Sequence, residues 1–293
     1  MEHIATFLSS DQVVNEPIFL DCEGLDLGCL GGELGLIQLG VENKVYLVDV
    51  IAYPESLVSL KPILEDPLLK KVVWDGRSDY SELWHGHGIK LTSPVDLQLV
   101  RVYEKCRGVA GVDGYIMLEG MGKVFSSKAG VARESSINQT RFAQGFPPLA
   151  CFRRPTNLLV QETIKQKHLR NDTDFWISRP LGTEERDYAA FDILQLRALY
   201  NHYRLRLLGL PNIPAESTRY LEIWKDGRKD RNAWYVHHGI LPQEILHAQW
   251  TLGRTMAETR ECGGCGRTLH QCSFRGRSRL CFTCTRARSW RRY

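Results

Sequence analysis

The sequence predicts an α/β fold built on a mixed sheet, on three observations. Three short apolar runs joined by short connections open the chain, at 18–21, 35–40 and 45–50. The pattern then alternates between strand and helix periods as far as Tyr103. The composition, 43% hydrophobic and 25% charged over 293 residues, suits a globular chain with room for one large domain and appendages.

Taken in order, residues 1–16 read as an entry segment and Ile18–Asp21 as a buried strand. Cys22–Leu34 carries Gly24, Gly28, Gly31 and Gly32 and reads as a turn region. Gly35–Gly40 is a second strand, Glu42–Lys44 a tight turn and Val45–Val50 a third strand, which together predict an antiparallel meander. Ser56–Glu65 has helical spacing and ends before Pro67. Lys70–Trp74 is a fourth strand. Ser78–His87 reads as a helix, with Ser78 as its N-cap and Gly88 past its end. Val95–Gln98 is a fifth strand leading into a helix through Tyr103, and this strand–helix repeat predicts strands of mixed direction. Residues 107–150 are rich in loop signals, with a helical segment at Met117–Phe125. Asn157–His168 and Glu184–Arg204 read as helices, the second with an apolar stripe that includes Ala189, Ile193, Leu196 and Leu199. A helix starting near Ala215, a charged break at Asp226–Arg231 and an amphipathic helix at Glu244–Thr259 follow.

Acids stand where such a sheet would present them. Asp21 and Glu23 end the first strand at i and i+2, so they share a face. Two anions that close repel unless a cation lies between them, and Mg²⁺ or Mn²⁺ takes carboxylate oxygens. A strand end with two solvated acids is the ordinary alternative. Asp75 and Asp79 follow the fourth strand, and Asp79 also suits the first turn of a helix. Asp192 interrupts the apolar stripe four residues after Tyr188, on the same helix face. A buried Asp needs a partner or a metal. Tyr188 taken alone reads as a core aromatic.

These stretches come in a telling order: Asp21-Cys-Glu23, Gly35-Leu-Ile-Gln-Leu39, Tyr46-Leu-Val-Asp49, Lys71-Val-Val-Trp-Asp-Gly-Arg-Ser-Asp79, Arg179-Pro-Leu181 and Tyr188-Ala-Ala-Phe-Asp192. Over roughly residues 15–205 the chain resembles the DEDDy family of 3′–5′ exonucleases, which includes ribonuclease D and the Werner-type exonuclease domain. The Asp75-Gly-Arg77 step is most similar to the exonuclease 3′–5′ domain-containing, Egalitarian-like branch. The resemblance implies a ribonuclease H-like fold, a mixed five-stranded sheet flanked by helices. It implies hydrolysis of single nucleotides from a 3′ end of nucleic acid, RNA or DNA, with a single-stranded terminus expected. By motif, Asp21, Glu23, Asp79 and Asp192 would hold two Mg²⁺ or Mn²⁺ ions, and Tyr188 would position the attacking water. Some members of this branch have lost motif carboxylates and serve as nucleic-acid-binding scaffolds, which is the alternative; here all four acids and the Tyr are present. Asp75 is an extra acid. Metal ligation, pairing with Arg77 and capping the turn are all open to it, and a structural role is favoured.

Of the nine cysteines, five lie in the last 32 residues, which points to a local metal site in place of a disulfide scaffold. Cys262-Gly-Gly-Cys265 and Cys281-Phe-Thr-Cys284 have the spacing of a structural Zn²⁺ site, with Cys272 and His270 as alternates of poorer spacing. So short a module cannot bury a sizeable core, and metal binding would supply most of its folding energy. The same stretch carries eight arginines and no Asp, Glu or Lys, so a tail of charge +8 follows a body of about −4. Arg275, Arg277, Arg279, Arg286 and Arg288, interleaved with Phe274, Phe282, Trp290 and Tyr293, predict a nucleic-acid contact surface. Docking on the acidic body or on a protein partner is the alternative.

The expected organisation is an exonuclease domain over 1–205, a helical extension over 206–260 and an Arg-rich zinc module over 261–293. No apolar run is long enough for a membrane span, and the first residues lack the basic and apolar regions of a signal peptide, so an intracellular protein, nuclear or cytoplasmic, is expected. His85 and His87 read as a basic helix end and not as a metal pair. Asn138 and Asn171 match glycosylation sequons, which carry little weight in an intracellular chain.

Overall fold

The computed structural model of the chain describes residues 16–105, 163–164, 166–167, 172–230, 259–264, 266, 268–271, 274–281 and 284–285. The chain divides into two compact units, one drawn from 1–102 and 126–228, the other from 103–125 and 229–293.

The first unit is organised by a five-stranded sheet in the order β3-β2-β1-β4-β5. Its strands are β1 (Ile18–Leu25), β2 (Glu33–Val41), β3 (Lys44–Asp49), β4 (Lys71–Val73) and β5 (Pro94–Asp96). The first three form the expected antiparallel meander, while β4 and β5 run parallel to β1. β1 and β2 lie inside the sheet, and β2 is buried along nearly its whole length, as its continuous apolar sequence requires. β1 reaches four residues beyond the expected end at Asp21. Pairing with β2 continues through Leu25 past a bulge between Glu23 and Gly24, so the expected turn region shortens to 26–32.

Helix α1 (Ser56–Glu65) has its expected bounds. Helix α2 spans Arg77–His87, so Ser78 lies inside it and is not its N-cap. The reason is tertiary. The buried Asp96 carboxylate accepts hydrogen bonds from the backbone N–H groups of Asp75 and Gly76 at 3.1 and 3.0 Å, which supplies the missing acceptor at this end. Gly88 closes α2 with φ of 62°, a left-handed conformation that favours glycine. Helix α3 is Leu97–Lys105, directly after β5. Helix α4 runs Thr183–Leu208, longer than expected at both ends. Helix α5 begins at Ile213, because Pro214 is tolerated in a first turn, and ends at Leu221.

α5 packs on β5 and α2. Its Ser217 hydroxyl accepts from the Asp96 N–H at 2.8 Å, and its Tyr220 hydroxyl lies 2.7 Å from Gln98 Oε1. The Arg77 guanidinium stacks 4.7 Å from the Tyr220 ring centroid. A little further on, Arg228 reaches the buried Glu82 at 2.9 Å and also donates to the Cys29 and Gly32 carbonyls, both at 3.1 Å. The first unit therefore includes α5 and extends to Arg228.

In the second unit, β6 (Thr259–Glu261) and β7 (Thr268–His270) form an antiparallel hairpin. Thr259 is thus in a strand and does not end a helix; the rest of the helix expected at 244–259 lies outside the described residues. So do 107–150, Asn138, Asn171 and most of 157–168. Backbone at 163–164 and 166–167 is helical.

Candidate active site

β1 alternates as its sequence dictates. Leu20 and Cys22 are buried on one face, and Asp21 and Glu23 are half-buried on the other. α4 lies against β1, β2 and β3. It comes close because β2 carries glycine where the two meet. A Cβ on Gly40 would lie 2.5 Å from Ile193 Cγ2, and one on Gly35 would overlap the Trp176 carbonyl. Trp176, in a short turn at Asp174–Trp176, joins Leu36 and Ala189 in a buried cluster beneath the start of α4. Further along, Phe19 packs edge-on to Tyr200, with ring centroids 5.6 Å apart. The outcome is chemical. Oxygens of Asp21, Glu23 and Asp192 lie within 4.8 Å of one another. Three converging carboxylates are a hard-oxygen donor set suited to Mg²⁺ or Mn²⁺.

Tyr188 sits one turn before Asp192, hydrogen-bonds to its carboxylate and packs at a tilt against Trp176, with ring centroids 6.1 Å apart. Burial first, then the nearby Asp192, Glu23 and Asp21 charges, hold its hydroxyl well above the usual phenol range, so it is neutral at physiological pH. Asp79 is buried in the first turn of α2 and is not among the three acids that converge. Its carboxylate meets the thiol of Cys22, whose pKa is pushed well up by burial and then by Asp79 and Asp21. Cys22 is therefore a neutral donor.

Two further clusters hold the site in place. Arg179 donates to Asp49 at 2.7 Å, to the Trp176 carbonyl at 3.0 Å and to the Gly35 carbonyl at 2.8 Å, tying the approach to α4 onto β2 and β3. Asp75, at φ of 52°, pairs with Arg77 at 2.5 Å, and so takes the structural role favoured from sequence. Asp96, fully buried and close to Asp75, has its pKa raised to about 7 by burial and by that neighbouring charge. His85 Nε2 lies 2.7 Å from the Trp224 carbonyl, a helix-end contact. Sequence reasoning missed Asp96, Arg228 and Glu82, whose partners are far away in the chain. Arg179 and Gln38 stand within the motifs, but their sequence neighbours assign neither a role.

In the second unit, Cys262, Cys281 and Cys284 are buried, not in disulfides, and bring their sulfurs within 4.8 Å of one another. Cys265 and Cys272 lie outside the described residues. The Cys262 sulfur accepts backbone N–H groups of Gly264 at 3.4 Å and Cys281 at 3.2 Å, and the Cys281 sulfur accepts from Cys284 at 3.4 Å. Three converging sulfurs are a soft donor set that fits Zn²⁺. Arg260 stacks 3.9 Å over the Phe274 ring, and Arg275, Arg277 and Arg279 are exposed. Arg286 and Arg288 lie outside the described residues.

A mixed sheet whose second-longest strand presents two carboxylates to a third on a crossing helix is the ribonuclease H-like arrangement expected from the sequence. Residues 2–109 match the family model described as 3′–5′ exonuclease. The mouse (Mus musculus) piRNA biogenesis protein EXD1 is 26% identical over 230 residues, covering 75% of this chain and 35% of that protein. The chain thus spans about a third of the length of this curated relative. The crystal structure of Trypanosoma brucei RNase D has a TM-score of 0.56 at 19% identity, covering 92% of this chain and 90% of the other. Its complex with RNA U12 gives 0.56 at 19% identity, with 92% and 80% covered. The first part of the chain is thus similar to 3′–5′ exonuclease domains, and its fold is that of RNase D.

Proposed function

We propose that the chain is a metal-dependent 3′–5′ exonuclease that hydrolyses phosphodiester bonds from the 3′ end of nucleic acid. The observation that carries this reading is the convergence of Asp21, Glu23 and Asp192 within 4.8 Å, with Tyr188 bonded to Asp192. Asp21, Glu23 and Asp192, with Asp79 beside them in the motif order, would hold two Mg²⁺ or Mn²⁺ ions. Bound there, such ions make a water nucleophilic near neutral pH and offset charge on the leaving oxygen. Tyr188 orients that water through a neutral hydroxyl without adding an anion to the cluster. Asp192 fixes the direction of that hydroxyl by accepting its hydrogen bond. Arg179 ties the α4 approach, and with it Tyr188 and Asp192, onto β2 and β3.

Cys262, Cys265, Cys281 and Cys284 would hold one structural Zn²⁺. The module they organise would help to hold nucleic acid through Arg275, Arg277, Arg279, Arg286 and Arg288. The complex of Trypanosoma brucei RNase D with RNA U12 supports a nucleic-acid substrate through the shared fold. A single-stranded 3′ terminus is the expected end.

The test uses 5′-labelled RNA and DNA single strands with Mg²⁺, Mn²⁺ or EDTA, beside Asp21→Asn. The expected result is a ladder shortening from the 3′ end, absent with EDTA and in the variant. Tight binding without cleavage in either metal would sink the enzyme and establish a nucleic-acid-binding scaffold.

A further inference from the structure

We propose that Gln38 is a positioning residue: its buried side-chain amide, opposite Asp21 and unbonded among the described residues, donates to the Asp21 carboxylate when a cation is held there. This rests on the exonuclease reading above and deepens it. Gln38 lies in the middle of β2, and its exposure is 0%. Among the described residues, neither its Nε2 nor its Oε1 has a hydrogen-bond partner. Asp21 and Gln38 are direct partners across the β1–β2 ladder. Residues opposite one another in an antiparallel pair project from the same face, with Cβ atoms about 5 Å apart. Leu36 and Gly40, at i−2 and i+2 from Gln38, meet the Trp176–Ala189 cluster and Ile193 of α4. The Gln38 amide is therefore enclosed between β2 and α4, on the face where Asp21 and Asp192 converge. On the α4 side of this seam, Gln195 lies one turn after Asp192. It is 9% exposed, and its Oε1 has no partner among the described residues.

An amide buried without hydrogen bonds lowers stability, and Leu or Met fills the same volume without that cost. Features that break the packing rules in this way concentrate at functional sites. The chemistry of Gln suits this place. It is neutral, so it adds no charge to an acidic cluster, and its Nε2 hydrogens can bond the carboxylate oxygen that faces away from a cation. A carboxylate has about four lone-pair sites, and a cation occupies only some of them. A donor on the remainder fixes the ligand's direction, as outer partners do for metal-binding side chains generally.

The test uses the full chain with Gln38→Leu and Gln38→Met, and Asp21→Asn as a control. Mn²⁺ binding is measured by titration calorimetry, unfolding temperature by circular dichroism, and cleavage of a labelled single strand against Mn²⁺ concentration. The expected variants unfold at an equal or higher temperature, bind Mn²⁺ about 10- to 100-fold more weakly, and regain cleavage at high Mn²⁺. Unchanged Mn²⁺ affinity in both variants, with or without a lower unfolding temperature, would reduce Gln38 to a packing residue and overturn the proposal. An unsubstituted chain that binds no Mn²⁺ would overturn the exonuclease reading, and the role of Gln38 with it. Binding and cleavage by the unsubstituted chain keep the two failures apart.

Discussion

Tyr188 is held by two contacts that substitution can separate. Its ring packs on Trp176 at 6.1 Å, and its hydroxyl bonds to Asp192. Tyr188→Phe keeps the first and removes the second. Stability is expected to change by no more than about 1 kcal/mol in urea unfolding. Single-turnover cleavage is expected to slow by about 100-fold, at the lower end of what a positioned proton-handling group contributes. Asp96 carries a different prediction, on pH. Its folded pKa of about 7 lies above the ordinary aspartate value, so between roughly pH 4 and 7 the folded state holds a proton that the unfolded state has released. This group therefore makes stability fall as pH rises through that window. Asp49 and Glu65 act in the opposite sense. Hydrogen bonds from Arg179 and from Lys61 hold their carboxyls below the usual range, so their contributions are lost only at acid pH. Urea unfolding of Asp96→Asn at pH 5 and pH 8 is expected to show a smaller loss between the two than the unsubstituted chain shows.

At the scale of elements, the five-stranded sheet depends on segments that follow α4. Arg228 pairs with Glu82 at 2.9 Å, and the Glu82 side chain is 2% exposed. Glu82 also accepts the Gly28 N–H at 3.0 Å, so the pair fixes the loop between β1 and β2. Arg228→Ala would leave a buried carboxylate without its charge partner. A loss of about 3–5 kcal/mol is expected in urea unfolding. Arg228→Ala combined with Glu82→Leu is expected to recover part of it, because the unpaired charge is then gone. A fragment ending at residue 205 also loses Ser217, Tyr220 and Arg228. It is expected to unfold at a lower temperature than one ending at residue 228.

For the whole molecule, the separation of charge sets the expectation. The acidic body and the +8 tail belong to one chain, and the tail carries the cysteine pairs in its sequence. If a Zn²⁺ ion organises that cluster, purified protein should contain about one zinc per chain by elemental analysis. Cys262→Ser should lower that content, and a tight zinc chelator should unfold this unit while the sheet's circular dichroism persists. Removing 262–293 should weaken nucleic-acid binding and flatten its salt dependence. An unchanged salt slope would leave the arginines without that role. Among the described residues no helix is long and apolar enough to cross a membrane.

The sequence by itself determined what local periodicity and short spacing encode. The order of strands and helices through residue 105 was legible, as was the Tyr188-x-x-x-Asp192 pair on one helix face. So were the shared face of Asp21 and Glu23 and the cysteine spacing. Each of these depends on residues a few positions apart, where backbone geometry decides which side chains meet. Only the tertiary structure decided the rest. The Asp96–Ser217 bond joins residues 121 apart and the Arg228–Glu82 pair residues 146 apart, and nothing in either neighbourhood encodes its partner. The helix cap expected of Ser78 was displaced by Asp96, which comes from another strand. Gln38 read as one polar residue in an apolar strand until the β1–β2 register set it opposite Asp21 and α4 closed over that face. Register and burial depend on the whole sheet, so the surroundings of the carboxylates became definite only once the chain was folded.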